Sequence, residues 1–272
     1  MAEKSEWQGT VGESWADEYR RTDRSFTLLT EHLLAQTRQF SFKNVLDIGC
    51  GAGELSLAVA RGRPDVAVTG VDVSPDLVAV ARERGSGLAN CSFELADAAD
   101  WQGDGSPELL ISRHGVMFFD DPPAAFGHLA DQSSDEAAIL FSCFRSLEEN
   151  PFFTEVIRQL PELPDKGDPR APGPFAFADA DYVRSILAKA GWQDVGCEPF
   201  DFPMIAGVGE DPVAEAIAYF KRIGPAARAA RDMDTLARDR FFGRIRAMAE
   251  RNMHEGVVSL PAAAWIVTAR KA

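Results

Sequence analysis

The sequence predicts an α/β protein built on a mainly parallel sheet, and three observations carry that prediction. A short apolar run, Val45-Leu46-Asp47-Ile48, stops at glycines spaced Gly49-x-Gly51-x-Gly53 and passes at once into an amphipathic segment with Leu55, Leu57 and Val59. Two later apolar runs, residues 66–71 and 92–96, each stop at an aspartate, Asp72 and Asp97. Between and beyond these runs, helix-patterned stretches alternate with strand-patterned ones, the order expected of strand–helix–strand units.

Residues 1–40 precede the first strand and read as helical. Trp15 and Tyr19 lie one helical turn apart, so they can share a face toward a pocket or simply pack onto the sheet. A helix from about Ser25 sets Phe26, Leu29 and Leu33 on one side. At the glycine turn the backbone must bend tightly and approach a ligand with no Cβ in the way. A dinucleotide fingerprint would need a further glycine at position 54, where this chain has Glu54. A carboxylate at that helix start repels the pyrophosphate that backbone N–H groups and the helix dipole attract. S-adenosylmethionine, the other common ligand of such a loop, carries an amino acid and a sulfonium instead. Asp47, at the strand end, can receive its ammonium directly or through water.

The later elements extend the pattern. Asp72 closes the second strand nearly twenty residues beyond the glycine loop, where nucleotide-binding units place an acid on the ribose hydroxyls. Ser74-Pro75 caps the next helix, with Leu77, Val78, Val80 and Ala81 on its apolar side. Asp97 can accept from an adenine amino group. Each of these aspartates alone can be a solvated strand-end cap; their order along the chain is the signal. A fourth strand at 109–112 runs out into Arg113-His114-Gly115, a helix follows the cap Asp120-Asp121-Pro122-Pro123, and a fifth strand covers 138–144. Residues 161–174 hold five prolines and two glycines, which forbid helix and sheet interior, so the stretch 161–178 is expected to be a lid or, failing that, a linker. A capped helix at 179–190, a sixth strand between 195 and 202, and two helices marked by Val213, Ala216, Ile217, Phe220 and by Met233, Leu236, Phe241, Ile245, Met248 follow. Those two helices form an expected cap over about 211–253, and residues 265–269 close the sheet.

The chain has 28 Lys plus Arg against 42 Asp plus Glu, a net charge of −14. Such a chain has no general attraction for phosphates, which disfavours a nucleic acid partner, although Arg20, Arg21 and Arg24 can form a local basic patch. Cys50, Cys91, Cys143 and Cys197 are far apart and read as small apolar residues, and the four histidines lack metal-ligand spacing, so no metal is expected. The beginning of the chain lacks a signal-peptide core and no apolar run reaches membrane-spanning length. A cytoplasmic location without a membrane partner is the expectation; the oligomeric state is not legible.

Val45-Leu46-Asp47-Ile48-Gly49-Cys50-Gly51-Ala52-Gly53, Gly70-Val71-Asp72-Val73-Ser74 and Ala96-Asp97-Ala98 resemble the first three motifs of class I S-adenosylmethionine-dependent methyltransferases. The style is similar to the branch of quinone-biosynthesis and small-acid enzymes. The resemblance implies a Rossmann-like, seven-stranded sheet with an antiparallel last strand, helices on both faces and a helical cap. It divides the chain into an N-terminal helical segment over the cofactor, 1–40, and a methyltransferase domain, 41–272. It implies that the cofactor is held by Asp47, Gly49, Cys50, Gly51, Gly53, Asp72, Val73, Asp97, Ala98, Arg113 and Trp15. Two departures are Glu108, where an aspartate often begins the fourth strand, and Gln132-Ser133-Ser134-Asp135 in place of a Pro-Gly-Gly turn.

Methyl transfer from a sulfonium is an in-line displacement whose leaving group is already good, so the protein mainly aligns the acceptor and excludes water. A small-molecule O, N or C acceptor is the first reading, a peptide side chain the second, and a cofactor-binding partner without catalysis a third. A nicotinamide oxidoreductase is disfavoured by Glu54. His114, after the fourth strand, is the candidate general base, since histidine alone titrates near neutrality when unperturbed; a ring that packs beside Phe118 or hydrogen-bonds a backbone carbonyl is the alternative.

Overall fold

The computed structural model describes residues 4–103, 105–162 and 167–272. The strands are β1 (Asn44–Ile48), β2 (Ala67–Asp72), β3 (Cys91–Leu95), β4 (Leu109–Arg113), β5 (Ala138–Phe144), β6 (Trp192–Gly207), the two-residue β7 (Met253–His254) and β8 (Val257–Lys271). They form one sheet in the order β3-β2-β1-β4-β5-β8-β6, with β7 paired to β8. Strands β1 to β5 pair in parallel, and β8 runs antiparallel between β5 and β6. The strands at the centre are apolar without alternation, because both faces are covered: every residue of β5 is buried, as are Leu109, Leu110, Ile111 and Ser112 of β4.

The helices are α1 (Lys4–Trp7), α2 (Thr10–Asp17), α3 (Tyr19–Ser25), α4 (Thr27–Gln36), α5 (Glu54–Gly62), α6 (Pro75–Gly85), α7 (Pro122–Gln132), α8 (Pro151–Ile157), α9 (Ala180–Lys189), α10 (Pro212–Arg222), α11 (Gly224–Ala230) and α12 (Thr235–Arg251). Their starts are set by side chains that satisfy otherwise unpaired backbone donors. Ser74 Oγ accepts from Leu77 N at the start of α6, and Asp121, Asp179, Asp211 and Asp234 do the same for α7, α9, α10 and α12. In the N-terminal segment α2 packs on α6, α3 on β6, and α4 on α5 and β5, so the segment crosses the carboxyl end of the sheet. Helix α10 rests on β6 and β8 and carries α11 and α12 with it.

Several elements differ from the sequence reading. Trp15 and Tyr19 do not share one helix, because the chain breaks at Glu18, between α2 and α3. The next helix, α4, starts just after Phe26, close to the expected start near Ser25, and Phe26, Leu29 and Leu33 are buried as the spacing predicts. Strands β6 and β8 extend well beyond 195–202 and 265–269, since their mutual pairing continues past the sheet body. An eighth, two-residue strand supplements the expected seven. Gly224-Pro225 does not merely end α10; it opens α11, with proline in the first turn where its missing N–H costs nothing. Leu236 is 61% exposed, so it lies off the buried face of α12, which is formed by Phe241, Ile245 and Met248.

Within the expected lid, residues 163–166 lie outside the described residues. Its C-terminal part is tied to the sheet: Gly173 N donates to Met117 O at 3.1 Å, and Trp265 Nε1 donates to Ala178 O at 2.8 Å. Phe177 is 1% exposed. Residues 173–178 are therefore fixed wall. Among the described residues, no helix is long and apolar enough to cross a membrane.

Candidate active site

One cavity of about 970 Å³ lies at the carboxyl end of the parallel strands, near the top of the ~300–1,000 Å³ range of small-molecule sites. Its wall includes every residue that the sequence points to except Gly53. The glycine turn lines one half. Gly49 and Gly51 have φ of +63° and +55°, a region that side chains avoid. A Cβ on Gly49 would stand 2.8 Å from Gly115 Cα, so the turns after β1 and β4 touch backbone to backbone. Around Gly51 nothing lies within 4 Å of such a Cβ, which leaves open space beside the exposed peptide. Gly53 is one step behind this wall, as the residue that starts α5.

Three aspartates of this half are compensated in different ways. Asp72 Oδ2 accepts from Gly51 N at 2.8 Å and Oδ1 from Ser74 N at 2.9 Å, so the carboxylate braces both the glycine turn and the start of α6. Each oxygen keeps a further lone pair for a ligand hydroxyl. Asp97 Oδ1 accepts from Ala99 N, and its Oδ2 is ion-paired to Lys4 Nζ at 2.5 Å, a partner the sequence did not suggest. Asp47 is 1% exposed, and among the described residues its partner is Ser56, whose hydroxyl donates to Oδ2 at 2.5 Å and whose backbone N–H also donates to the carboxyl. Burial pushes its pKa up to about 7, against the opposing pull of Ser56 and of Arg113 through space. Asp47 is thus a buried acid with no cation in contact among the described residues.

The N-terminal segment is bolted to this half by Asp23 of α3. Its carboxylate lies 3.0 Å from Arg84 Nη1 and 3.2 Å from Arg113 Nη2. Arg84 also donates to Ala52 O at 2.7 Å, pairs with Glu54 at 2.5 Å, and lies over the Tyr19 ring. Arg113 donates in addition to Thr30 Oγ1 at 2.8 Å. One arginine therefore joins the cover to the glycine turn, and the other joins it to the end of β4. Burial raises the pKa of Asp23, while Arg113 and Arg84 pull it down. Trp15 lies edge-on to Trp7, which in turn meets Phe118 edge-on, both at 5.3 Å between centroids.

The other half of the cavity is aromatic. Phe26, Phe144, Phe153 and Phe175 line it, with Phe144–Phe153 and Phe153–Phe175 in edge contact at 5.0 and 5.2 Å. His114 belongs to this wall. Its ring stacks on Phe144 at 4.0 Å, not beside Phe118, and its backbone is left-handed with φ of +63°. Burial lowers its pKa to about 3. That argues against the proton-accepting role expected for it. A proton moved from a phenol of pKa about 10 to this ring would climb about seven units, roughly 9 kcal/mol.

Residues 40–191, which include β1 to β5 and the glycine turn, match the family model described as a methyltransferase domain. The chain belongs to the class I S-adenosylmethionine-dependent methyltransferases. It is 28% identical over 160 residues to trans-aconitate 2-methyltransferase of Escherichia coli, a match that covers 58% of this chain and 60% of that one. The Shigella flexneri protein of the same name is 27% identical over the same share. The chain thus spans less than two thirds of the length of these curated relatives. Among solved structures it is similar to a putative methyltransferase of Bacillus halodurans, with TM-score 0.55, 17% identity, and 89% and 98% of the two chains covered. It is also similar to phosphoethanolamine N-methyltransferase 2 of Haemonchus contortus in complex with S-adenosyl-L-methionine, with TM-score 0.53, 18% identity, and 89% and 52% covered. Likeness at that identity carries the fold alone.

The site of this methyltransferase fits S-adenosylmethionine by the chemistry of its donors. Asp47 lacks a cation, and the amino acid end of the cofactor supplies an ammonium. Asp72 keeps lone pairs for hydroxyls, and Gly51 leaves space at an exposed peptide. The sequence missed Asp23, Arg84 and Lys4, whose roles depend on contacts between residues far apart in the chain. It also missed the aromatic wall, for which 18 phenylalanines against 3 tyrosines were an available signal of apolar rings.

Proposed function

We propose that this chain transfers a methyl group from S-adenosylmethionine to a small molecule with a largely apolar body. The observation that carries the reading is the continuity of a single cavity, polar and glycine-lined in one half, aromatic in the other, with the N-terminal cover and α10–α11 along its rim. When bound, the cofactor supplies an electrophilic methyl on a sulfonium. Asp47 would hold its ammonium, Asp72 its ribose, and the Ala98 neighbourhood its adenine. The Lys4 pair with Asp97 would have to open if Asp97 is to take the adenine amino group. The phenylalanine wall would bind the acceptor body and exclude water, which is most of what alignment requires. The relative from Escherichia coli is named for a small-molecule acceptor, which agrees in class.

The test is methyl-labelled S-adenosylmethionine incubated with the full chain and a metabolite extract, followed by size separation. Label in the low-mass organic fraction is the expected result. Label in peptides would move the acceptor to the protein class. Tight cofactor binding by calorimetry with no label transferred to either fraction would refute the activity.

A further inference from the structure

We infer that His114 is a specificity residue that donates a hydrogen bond through Nε2 to an oxygen of a ring-sized, otherwise apolar acceptor. The inference rests on the aromatic half of the cavity being the acceptor site. His114 is 8% exposed, and its Nε2 has no hydrogen-bond partner within the protein among the described residues. The rest of the residue is fixed. Its backbone N–H donates to Ser142 O at 3.2 Å, its Nδ1 lies 3.3 Å from Ser142 Oγ, Phe144 stacks on one face, and Phe26 meets it edge-on at 5.4 Å. The ring cannot turn to find another partner without breaking these contacts.

Proton bookkeeping decides what Nε2 offers. A ring whose pKa is about 3 is neutral near pH 7 and carries one N–H. Ser142 is fully buried, and Nδ1 is its hydroxyl's one partner among the described residues. If Nδ1 held the proton, the ring would donate to Ser142, to its Oγ or its backbone oxygen, leaving both the hydroxyl hydrogen and the Nε2 lone pair stranded. If Nε2 holds the proton, the hydroxyl donates to Nδ1, and a single group, Nε2–H, is left over. The second arrangement strands one group instead of two, and buried stranded groups are costly. With Nδ1 held to β5, Nε2 is the ring's remaining polar atom, and His114 lines the cavity together with Phe26, Phe144, Phe153 and Phe175.

The partner for that donor must come with the ligand, and it must be a hydrogen-bond acceptor: a carbonyl, carboxylate or phenolate oxygen. A donor here also favours acceptors that arrive without a proton on that oxygen, since N–H strengthens with the negative charge it faces. The apolar surround removes competing water, so the single bond discriminates between an oxygenated ring and its hydrocarbon counterpart.

Ring-nitrogen NMR on full-length protein with 15N-labelled histidine tests the assignment directly, with the His114 signals identified by their loss in His114→Asn. Asparagine tolerates the left-handed backbone that phenylalanine would strain. The expected spectrum has the proton on Nε2, and addition of 1-indanone shifts that signal while indane does not. Calorimetry in the presence of S-adenosylhomocysteine should give 1-indanone about tenfold tighter binding than indane, a gap that closes in His114→Asn. A proton on Nδ1, equal affinity of the two probes, or binding by neither overturns the inference. If His114→Asn does not fold, Ser142→Ala serves in its place. Loss of its Nδ1 partner moves the ring-nitrogen signals of one histidine and so assigns them, and unmoved signals overturn the inference. Absence of methyl transfer with the Nε2 result intact would overturn the activity reading alone.

Discussion

Replacing Asp47 with asparagine should make the protein more stable and its cofactor binding weaker, and the difference should grow with pH. Asp47 is buried at the end of β1 with its pKa pushed up to about 7 from an ordinary 3.8. A raised carboxyl pKa means that the folded state holds its proton longer than the unfolded chain does. Its contribution is therefore fully present below about pH 4 and is lost as pH rises through 7. The difference of about three units corresponds to a ceiling of roughly 4 kcal/mol at pH 8. Asparagine has no charge to bury, and its Oδ1 can still accept from Ser56 Oγ, which now donates at 2.5 Å. Without ligand, Asp47→Asn should match the parent near pH 4 and exceed it at pH 8 by roughly 1–4 kcal/mol, or several degrees in Tm. With S-adenosylmethionine the order changes, because the ammonium gives the carboxylate the cation it lacks. The parent should gain more from the cofactor, and more at pH 8 than at pH 5. The variant should bind it at least about tenfold more weakly at pH 8. Asp72 is raised by burial too, but it is present in both proteins and cancels. Urea unfolding at pH 4, 6 and 8, with and without cofactor, decides the matter. Parallel stability profiles for the two proteins, or unchanged cofactor affinity in a folded Asp47→Asn, would refute the reasoning.

Arg84→Ala should loosen the N-terminal cover without unfolding the sheet, because it removes the contacts to Asp23, Ala52 O and Glu54 together. Faster proteolysis within 4–25 and roughly tenfold weaker cofactor binding are expected; protection equal to that of the parent would reduce Arg84 to a surface ion pair. Proteolysis should also cut within 161–172 before 173–178, whose backbone is tied to Met117 and Trp265. Slower cutting with cofactor and its methylated product present would identify 161–172 as a lid, and cutting that no ligand slows would leave a linker.

The elements legible in the sequence were those set by local pattern. The turn at Gly49-Cys50-Gly51 needs positive φ and no Cβ at close spacing, and only glycine supplies both. Ser74 and Asp121 announce helices because their side chains satisfy donors three residues on. What stayed hidden depends on pairs far apart in the chain. Asp23 and Arg84 are separated by 61 positions, and Arg84 alone reads as an ordinary cation in the last turn of α6. His114 and Ser142 meet because β4 and β5 pair in parallel. Without Ser142 and Phe144 in view, an unperturbed histidine near neutrality was the natural reading. The break at Glu18 was missed because Trp15 and Tyr19 keep helical spacing across it.

The buried Asp47 and Asp72 and the half-buried Asp23 together explain why the cavity suits a cation at one end. Asp23 is answered by two arginines, and Asp72 by two backbone N–H groups that also fix the turn. Asp47 has the hydroxyl and the backbone N–H of Ser56, and the nearby Arg113 is already committed to Asp23 and Thr30. Among the described residues no cation touches this carboxyl, in the place where β1 gives way to the glycine turn. An acid left in this state destabilises the unliganded fold and favours whatever arrives with an ammonium. That asymmetry separates the site from one for dinucleotides, whose pyrophosphate would meet Asp47 as a like charge. Arg84 neutralises Glu54 from outside the turn, which leaves Asp47 as the charge that a ligand must answer.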